Sequence, residues 1–357
     1  MKISFCITCM NRLYHIQETL RKNIEDNYLL NEVEFVLLDY NSSDGLEEWV
    51  TSEMQACIDN GILVYYKTVT PQHYHRSHSR NIVFRLAKGN ILCNLDADNY
   101  LGNGFAAEMI KEFEQKRNLF YTSDLSSSDA YGRVCVLRDD FLTIRGYNES
   151  LSGYGHEDAD LFARLTKHGL KHLQYRNPKF NNAIKHSKLE RINNEEIYNK
   201  LMFAYVSYID PFTTKALLLY NDETCEYMTL IEREYGRMIK NPANEITKTQ
   251  KTNRIFLKED PQKGEWTKLS NCTISLKYND KRIEFAVGAS SFKIGNRSFY
   301  KLEEQELITT IVLVAGMAVN QNRALRMRNS NETVNPDGFG RDKVYKGFNS
   351  DECIILD

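Results

Sequence analysis

A short apolar run ends in two closely spaced aspartates at residues 91–99, which read ILCNLDADN. The run over 91–95 is almost wholly apolar, as expected of a strand that is covered on both faces of a parallel sheet. Asp96 and Asp98 follow directly, with one residue between them. The segment therefore predicts a buried strand that delivers two carboxylates to one edge of a sheet.

Three earlier segments repeat the pattern of a buried strand followed by a helix. Strands are predicted at 3–8, 33–38 and 62–66. Helices are predicted at 13–24, from the turn residues at 39–45 to about residue 60, and at 76–87. Repeated strand–helix units predict an α/β fold with a doubly wound, mostly parallel sheet. Ligands of such sheets bind at the carboxyl ends of the strands, where Thr8, Asp39 and Asp96–Asp98 lie.

The character of the sequence changes after about residue 191. Helical patterns are predicted to about residue 240, followed by a polar link over 241–253. Strands are then predicted at 255–258, 272–278, 282–287 and 291–294, with a turn at 279–281. We therefore predict an α/β domain over 1–210, a helical extension or linker over 211–250, and a smaller β-rich C-terminal module of unknown role over 251–357.

The composition is that of a globular protein without a general affinity for polyanions. The 357 residues carry a formal net charge of -2, with 42% hydrophobic and 26% charged residues. This charge gives no attraction to nucleic acid, and no apolar stretch reaches the ~20 residues of a transmembrane helix. No signal peptide is recognisable, and the eight scattered cysteines are typical of a reducing compartment. We therefore expect a cytoplasmic protein without a transmembrane segment.

Asp96 and Asp98 have the spacing of a site for a hard divalent cation. A diphosphate leaving group concentrates negative charge, which Mg²⁺ or Mn²⁺ bound by carboxylates and phosphate oxygens can neutralise. Asp-x-Asp alone is a weak motif, and a solvated acidic turn is the simpler explanation where nothing else agrees with a metal site.

A second acidic cluster, EDAD at 157–160, follows the glycine-containing approach SGYGH at 152–156. Glycines let the backbone come close to a sugar, and the dipole of the helix predicted here favours carboxylates at its N-terminus. Attack by a hydroxyl on an anomeric carbon needs a general base, and Glu157 or Asp158 is suitably placed in the sequence. Helix capping by acidic residues is the alternative.

Residues 1 to about 190 resemble the family-2 glycosyltransferases of the GT-A fold. The matching segments are ITCMNR (7–12), LDYNSSD (38–44), SRN (79–81) with AKG (87–89), and LDAD (95–98). Residues 153–161 look like the acidic acceptor-site motif of β-1,4-galactosyltransferases and related polymerases. AIKHS at 183–187 resembles the segment that gives that group a histidine metal ligand. The resemblance implies a GT-A, Rossmann-like nucleotide-sugar-binding domain over 1–210.

The resemblance implies a UDP-sugar as donor substrate. Thr8 and Asp39 would contact the base or ribose of the uridine nucleotide. Arg80 would approach the side of the diphosphate.

The same resemblance implies a metal site and a catalytic base. Asp98 and His186 would hold Mn²⁺ or Mg²⁺ with Asp96 in support, and the imidazole ligand favours Mn²⁺. Asp158 would be the base and Glu157 would orient the acceptor, in a single displacement with inversion.

Three positions depart from the family pattern. Tyr40 stands where a second aspartate is common, Tyr154 replaces the usual tryptophan of the acceptor platform, and His156 replaces a small residue. His73, His75 and His78 match no structural zinc pattern, and a loop near the donor site is the favoured interpretation of this segment.

We predict an inverting, metal-dependent glycosyltransferase that moves galactose or N-acetylgalactosamine from a UDP-sugar to an acceptor hydroxyl. The acceptor would be a carbohydrate or glycolipid, in surface polysaccharide or glycolipid synthesis at the inner membrane face, with peripheral membrane association. One alternative is a sugar-1-phosphate nucleotidyltransferase, although residues 6–12 lack the expected glycines. The other is a non-catalytic nucleotide- or carbohydrate-binding protein.

Overall fold

The computed structural model describes residues 1–29, 31–123, 130–175, 177–240, 247–270, 272–278, 281–348 and 352–357. These residues form two compact units. Met1–Ser187 and Met327–Asp357 make up the first unit, and Lys188–Arg326 make up the second. All eight predicted site residues lie in the first unit.

The helices and strands are numbered along the chain. Up to residue 187 they are β1 (Ile3–Cys9), α1 (Leu13–Asn27), β2 (Val33–Tyr40), α2 (Leu46–Glu53), α3 (Gln55–Asp59), β3 (Leu63–Thr68), α4 (Arg76–Leu86), β4 (Ile91–Asn94), β5 (Asn99–Tyr100), α5 (Phe105–Gln115), β6 (Leu119–Thr122), β7 (Val134–Leu137), α6 (Arg138–Thr143), α7 (Glu157–Lys167), β8 (Lys171–Gln174) and β9 (Asn182–Ala183). Then follow α8 (Glu196–Lys200), β10 (Leu201–Asp210), β11 (Thr213–Tyr220), β12 (Thr224–Lys240), β13 (Thr247–Leu257), β14 (Gln262–Ser270), β15 (Thr273–Tyr278), β16 (Lys281–Ala286), β17 (Ser291–Ile294), β18 (Arg297–Lys301), α9 (Gln305–Ser330), β19 (Asp342–Lys346) and β20 (Cys353–Leu356). Short 3-10 helices occupy Pro178–Phe180 and Leu189–Arg191.

The first unit is built on a sheet with the strand order β20-β19-β3-β2-β1-β4-β7-β6-β8. The stretch from β3 to β4 is parallel, whereas β7 and β19 are antiparallel to their neighbours in this stretch. Phe5 of β1 packs in one hydrophobic core with α1 and α5, and Cys6 packs in another with α4 and α7. Helices therefore cover both faces, which confirms the predicted α/β fold.

The second unit is built on an antiparallel sheet with the order β16-β15-β14-β12-β11-β10-β18-β17, and β13 also pairs with β12. This confirms a smaller β-rich region. The helical pattern predicted to about residue 240, within the helical extension or linker over 211–250, is wrong because β11 and β12 occupy that stretch. Successive residues of β11 enter different cores: Leu217 packs in one and Leu218 in the other. A strand buried on both faces is continuously apolar, so its sequence lacks the alternation that distinguishes it from a helix. Residues 241–246 of the predicted link and 279–280 of the predicted turn lie outside the described residues.

The C-terminal segment 327–357 is part of the first unit and does not belong with residues 251–326 as predicted. Its strand β19 pairs with β3, and Asp342 accepts a hydrogen bond from the hydroxyl of Thr68 (2.8 Å). Arg85 of α4 donates to the carbonyl of Phe339, at 2.7 Å. The C-terminal segment therefore supports the sheet edge next to β3 and the helix α4.

Gly340 packs closely against the backbone of α4, which gives a test of that packing. Its φ is +57°, and a Cβ there would lie 2.8 Å from the carbonyl carbon of Asn81. We expect Gly340→Ala to cost about 1–2 kcal/mol for the left-handed backbone and about 1–3 kcal/mol more for the collision, measured by urea unfolding. Gly347→Ala is the control, since its φ is +67° but no described atom lies within 4 Å of the added Cβ. Equal losses in the free energy of unfolding in the two variants would show that the C-terminal segment does not pack tightly against α4.

In the part of the chain that the structure describes, no helix combines the length and the apolar character needed to span a membrane.

Candidate active site

Two predicted nucleotide-binding residues lie at the carboxyl ends of neighbouring parallel strands. Thr8 of β1 shares a 2.8 Å hydrogen bond with the hydroxyl of Tyr74. Asp39 of β2 is 1% exposed, and its two oxygens accept from the Ser42 amide (2.7 Å) and the Tyr65 hydroxyl (2.8 Å). Burial raises the pKa of Asp39 above its ordinary value, although these hydrogen bonds oppose the shift. Asp39 is therefore an internal anchor of this strand end, and its contact with a nucleotide stays a prediction.

Arg80 forms the centre of a buried ionic cluster. It lies on α4, is 5% exposed, and donates through Nη1 to Asp158 (2.9 Å) and Glu157 (3.3 Å). Its Nη2 donates to Asp96 Oδ1 at 3.0 Å. One guanidinium thus joins the end of β4 to the start of α7, so the predicted base and the first aspartate of Asp-x-Asp belong to one network.

The helix α7 presents its acids as the sequence predicts. It begins at Glu157, directly after His156, whose φ of 70° is left-handed. Glu157, Asp158 and Asp160 lie in the first turn, where the partial positive charge of the helix end stabilises carboxylates.

Asp158 has the electrostatic environment of a general base. Burial raises its pKa to about 7; Arg80 opposes this rise, and the charges of Glu157 and Asp96 add to it. A base with a pKa near the working pH both accepts a proton readily and is deprotonated in a useful fraction of molecules. The sequence predicts Asp158 as the base, and this role stays a prediction; its raised pKa could not be derived from the sequence.

Two further features shape the cluster. Gly132 faces it without a side chain: a Cβ there would lie 3.0 Å from Asp158 Oδ2 and 3.2 Å from Arg80 Nη2. Glu157 Oε2 is buried and receives no hydrogen bond from the described residues. Because buried polar atoms are usually paired, a hydroxyl of a bound ligand is a suitable donor for this oxygen.

Asp98 and His186 are brought together from distant parts of the chain. Asp98 Oδ2 and His186 Nε2 are 2.6 Å apart. The two-residue strands β5 and β9 pair next to them, and the amide of Ile184 donates to the carbonyl of Asp98 at 2.8 Å. Burial raises the pKa of Asp98, but the hydrogen bond and charge of His186 outweigh it, so the net shift is downward.

The chemistry of this pair fits a divalent cation. A carboxylate and an imidazole are the mixed oxygen and nitrogen donors that Mn²⁺ accepts more readily than Mg²⁺ does. Among the described residues, no three His, Cys, Asp or Glu side chains group to hold a metal. The protein would therefore supply Asp98 and His186, with phosphate oxygens and water as the remaining ligands.

Sequence reasoning missed an aromatic pair that is joined by Arg76. The Arg76 guanidinium lies 5.5 Å from the ring centre of Tyr74 and 4.6 Å from that of Tyr154. Tyr74 contacts Thr8, and Tyr154 is the residue that stands in place of the family tryptophan. Cation–π contacts of this length are attractive and favour the observed positions of both rings. No local sequence pattern indicates them, because they join separate loops.

Two histidines of the segment 73–78, His75 and His78, make hydrogen bonds that hold the start of α4 in place. His78 Nδ1 lies 2.7 Å from the hydroxyl of Tyr40, and His78 Nε2 lies 3.0 Å from the carbonyl of Arg341. His75 Nδ1 accepts from the backbone of His78, which caps α4. Tyr40, where the family often has an aspartate, is thereby tied to α4.

Family models match the part of the chain that carries the site. Residues 4–151 match the model described as Glycosyl transferase family 2, and residues 121–193 match the N-terminal domain of galactosyltransferase. The two ranges together contain every residue from Thr8 to His186 named above. A search of curated proteins found no match.

Solved structures with similarity to the chain include a mannosyltransferase and a β-1,4-galactosyltransferase. The mannosyltransferase PcManGT from Pyrobaculum calidifontis, in complex with GDP-Man and Mn²⁺, is 16% identical with a TM-score of 0.43, over 49% of this chain and 55% of that one. The S. aureus TarS 1-349 structure is 14% identical with a TM-score of 0.39, over 46% and 55%. A Drosophila β-1,4-galactosyltransferase 7, in complex with manganese, UDP-Gal and xylobiose, is 13% identical with a TM-score of 0.39, over 54% and 74%.

The matched region thus spans about half the length of the first two of these proteins. All three TM-scores lie below 0.5, so these structures carry no argument on function. The chain carries a segment over 4–151 that matches the family-2 glycosyltransferases and an overlapping galactosyltransferase-like segment over 121–193.

Proposed function

We propose that this chain is an inverting, metal-dependent enzyme that transfers a sugar from a UDP-sugar to an acceptor hydroxyl. The observation that supports this most is the arrangement around Asp96 and Asp98. Asp96 bonds to Arg80, which holds Asp158, and Asp98 bonds to His186. A base cluster and a candidate metal-ligand pair therefore share one loop at the carboxyl end of β4.

The proposed reaction is a single displacement. The acceptor oxygen forms a bond to the anomeric carbon, the bond from that carbon to UDP breaks, and the acceptor proton passes to Asp158. Glu157 Oε2 accepts a hydrogen bond from an acceptor hydroxyl, and Arg80 holds both carboxylates in place. Asp98 and His186 would hold Mn²⁺ or Mg²⁺, which when bound would supply positive charge against the diphosphate leaving group. Attack on one face of the sugar with departure from the other gives inversion.

The pKa of Asp158 predicts how the rate depends on pH. A general base is active when it is deprotonated, so activity is lost as the pH falls through the pKa. We expect kcat/KM for transfer to be level above about pH 8 and to fall about tenfold per unit below pH 7. The measurement is a pH profile at saturating Mn²⁺. A rate that is unchanged between pH 5 and pH 8 would contradict the assignment of the base.

UDP binding tests the donor and metal parts of the proposal. We expect UDP affinity, measured by calorimetry, to be much higher with Mn²⁺ than with EDTA. Asp98→Ala and His186→Ala should each remove most of this difference, with a loss of more than about 100-fold, because each deletes a direct ligand. His168→Ala is the control, since His168 is a partly exposed histidine that pairs with Asp140 and is not a proposed metal ligand. Equal affinity with Mn²⁺ and with EDTA would overturn the metal-dependent mechanism.

The finer assignments are part of the same proposal. Galactose or N-acetylgalactosamine is the proposed donor sugar, since the segments 153–161 and 183–187 resemble galactosyltransferases. A surface polysaccharide or glycolipid precursor is the proposed acceptor, modified in the cytoplasm at the inner membrane face. A panel of UDP-sugars and lipid-linked saccharides tests each assignment separately.

A further inference from the structure

Arg133 is a buried arginine that belongs to neither of the groups described above. It precedes β7 and is 1% exposed. Its Nη1 donates to the carbonyl of Phe180, and its Nη2 donates to Asn99 Oδ1 (2.8 Å) and to the carbonyl of Tyr100 (3.1 Å). A buried guanidinium with neutral acceptors is costly to desolvate, so its position calls for a structural or functional reason.

The acceptors of Arg133 lie on the two chain segments that carry the candidate metal ligands. Asn99 and Tyr100 form β5, which directly follows Asp98. Phe180 lies two residues before β9, which pairs with β5 and leads to His186. One guanidinium therefore holds together both segments whose separation sets the distance between Asp98 and His186.

Arg133 also decides which way the amide of Asn99 points. A guanidinium can only donate hydrogen bonds, so the oxygen of the Asn99 amide must face it. The nitrogen, Asn99 Nδ2, then donates to Asp98 Oδ1 at 2.8 Å. This hydrogen bond takes one lone-pair site of Oδ1 and orients the carboxylate so that Oδ2 faces His186 Nε2.

We propose that Arg133, acting through Asn99, is a positioning residue for the metal-ligand pair, which limits Asp98 to one-oxygen ligation through Oδ2. This inference rests on the proposed metal role of Asp98 and His186. Partners that orient metal ligands in this way typically contribute 10- to 100-fold, as an order of magnitude, to metal affinity.

The test is the affinity for Mn²⁺ in the presence of UDP, which is measured from the electron paramagnetic resonance signal of the Mn²⁺ that remains free. Asn99→Leu keeps the branched shape and the number of heavy atoms but removes the donor to Asp98. Arg133→Lys keeps the charge but cannot span the acceptors on both segments. We expect each variant to bind Mn²⁺ about 10- to 100-fold more weakly than the native protein.

Asn27→Leu is the matched control. Asn27 is also buried and bonds to the backbone of Gly102 and Ala106, but it does not contact Asp98. We expect this variant to lose stability in thermal unfolding while keeping native Mn²⁺ affinity. Two results would overturn this inference and leave the proposed metal role intact. One is native Mn²⁺ affinity in folded Asn99→Leu and Arg133→Lys, and the other is an equal loss of Mn²⁺ affinity in Asn27→Leu. Absence of Mn²⁺ binding by the native protein would overturn the proposed metal role, and the inference with it.

The native complex with UDP and Mn²⁺ provides a second measurement that does not depend on the folding of variants. Its crystal structure should show Asp98 bound to the metal through Oδ2 only, with Asn99 Nδ2 still donating to Oδ1. Ligation through both oxygens, or through Oδ1, would overturn the inference.

Discussion

Replacing Asp158 with asparagine should lower kcat of sugar transfer by about 10²- to 10⁴-fold, the range that general base catalysis contributes. The amide oxygen of the new side chain can still accept the hydrogen bond from Arg80, so the geometry is preserved while the proton acceptor is lost. UDP affinity in the presence of Mn²⁺ should stay native, because Asp158 is not a proposed metal ligand. The measurement is kcat together with UDP binding on the same preparation.

Asp160→Asn is the control for this prediction. Asp160 lies in the same turn of α7, is also buried, and is also paired with an arginine, Arg164 (2.7 Å). Its replacement should leave kcat within a few-fold of native. If Asp158→Asn keeps more than a tenth of the native kcat, the base lies elsewhere.

Replacing Arg80 with methionine should destabilise the first unit by about 3–5 kcal/mol at pH 8, the usual cost of removing one partner of a buried ion pair. Asp158 and Glu157 are buried with Arg80, and Asp96 is partly exposed, so the variant leaves several negative charges without their common counter-ion. The measurement is urea unfolding of the native and variant proteins at a series of pH values.

The pH dependence of this loss has a definite sign. Removing the cation raises the folded-state pKa of Asp158, about 7 in the native protein, further above its value in the unfolded chain, about 4. The destabilisation is therefore largest where Asp158 is charged and shrinks as the pH falls through the folded-state pKa of this residue. Arg21→Met, which removes an exposed pair with Glu53, should cost less than about 1 kcal/mol. An equal loss from Arg80→Met at pH 8 and pH 5 would contradict the proposed ionic cluster.

Much of the first unit could be predicted from its sequence because its strands are short, apolar and separated by clear helix and turn signals. The predicted strands at 3–8, 33–38 and 91–95 correspond to β1, β2 and β4. In the second unit the same reasoning failed over 211–250. Strands buried on both faces there resemble helices in composition, and only the pairing of β11 with β10 and β12 distinguishes them.

The candidate site could be predicted only where a motif or a family resemblance supplied long-range information. Local spacing alone gives no reason to place His186 beside Asp98, yet the structure brings them to 2.6 Å. Arg80 was expected near a diphosphate, whereas its guanidinium contacts three carboxylates. The sequence does not indicate the role of Arg133. Two of its three acceptors are backbone carbonyls, and these are the same for every residue type, so no pattern of side chains predicts them.

UDP release from a panel of UDP-sugars, with Mn²⁺ present and with and without saccharide acceptors, tests the proposed sugar transfer most directly. We predict Mn²⁺-dependent release of UDP from one donor, faster with an acceptor and abolished by Asp98→Ala. Tight binding of UDP without release from any donor would instead support a non-catalytic binding protein. Failure to bind UDP at all, with or without Mn²⁺, would contradict the proposed donor and the roles given to Asp98 and His186.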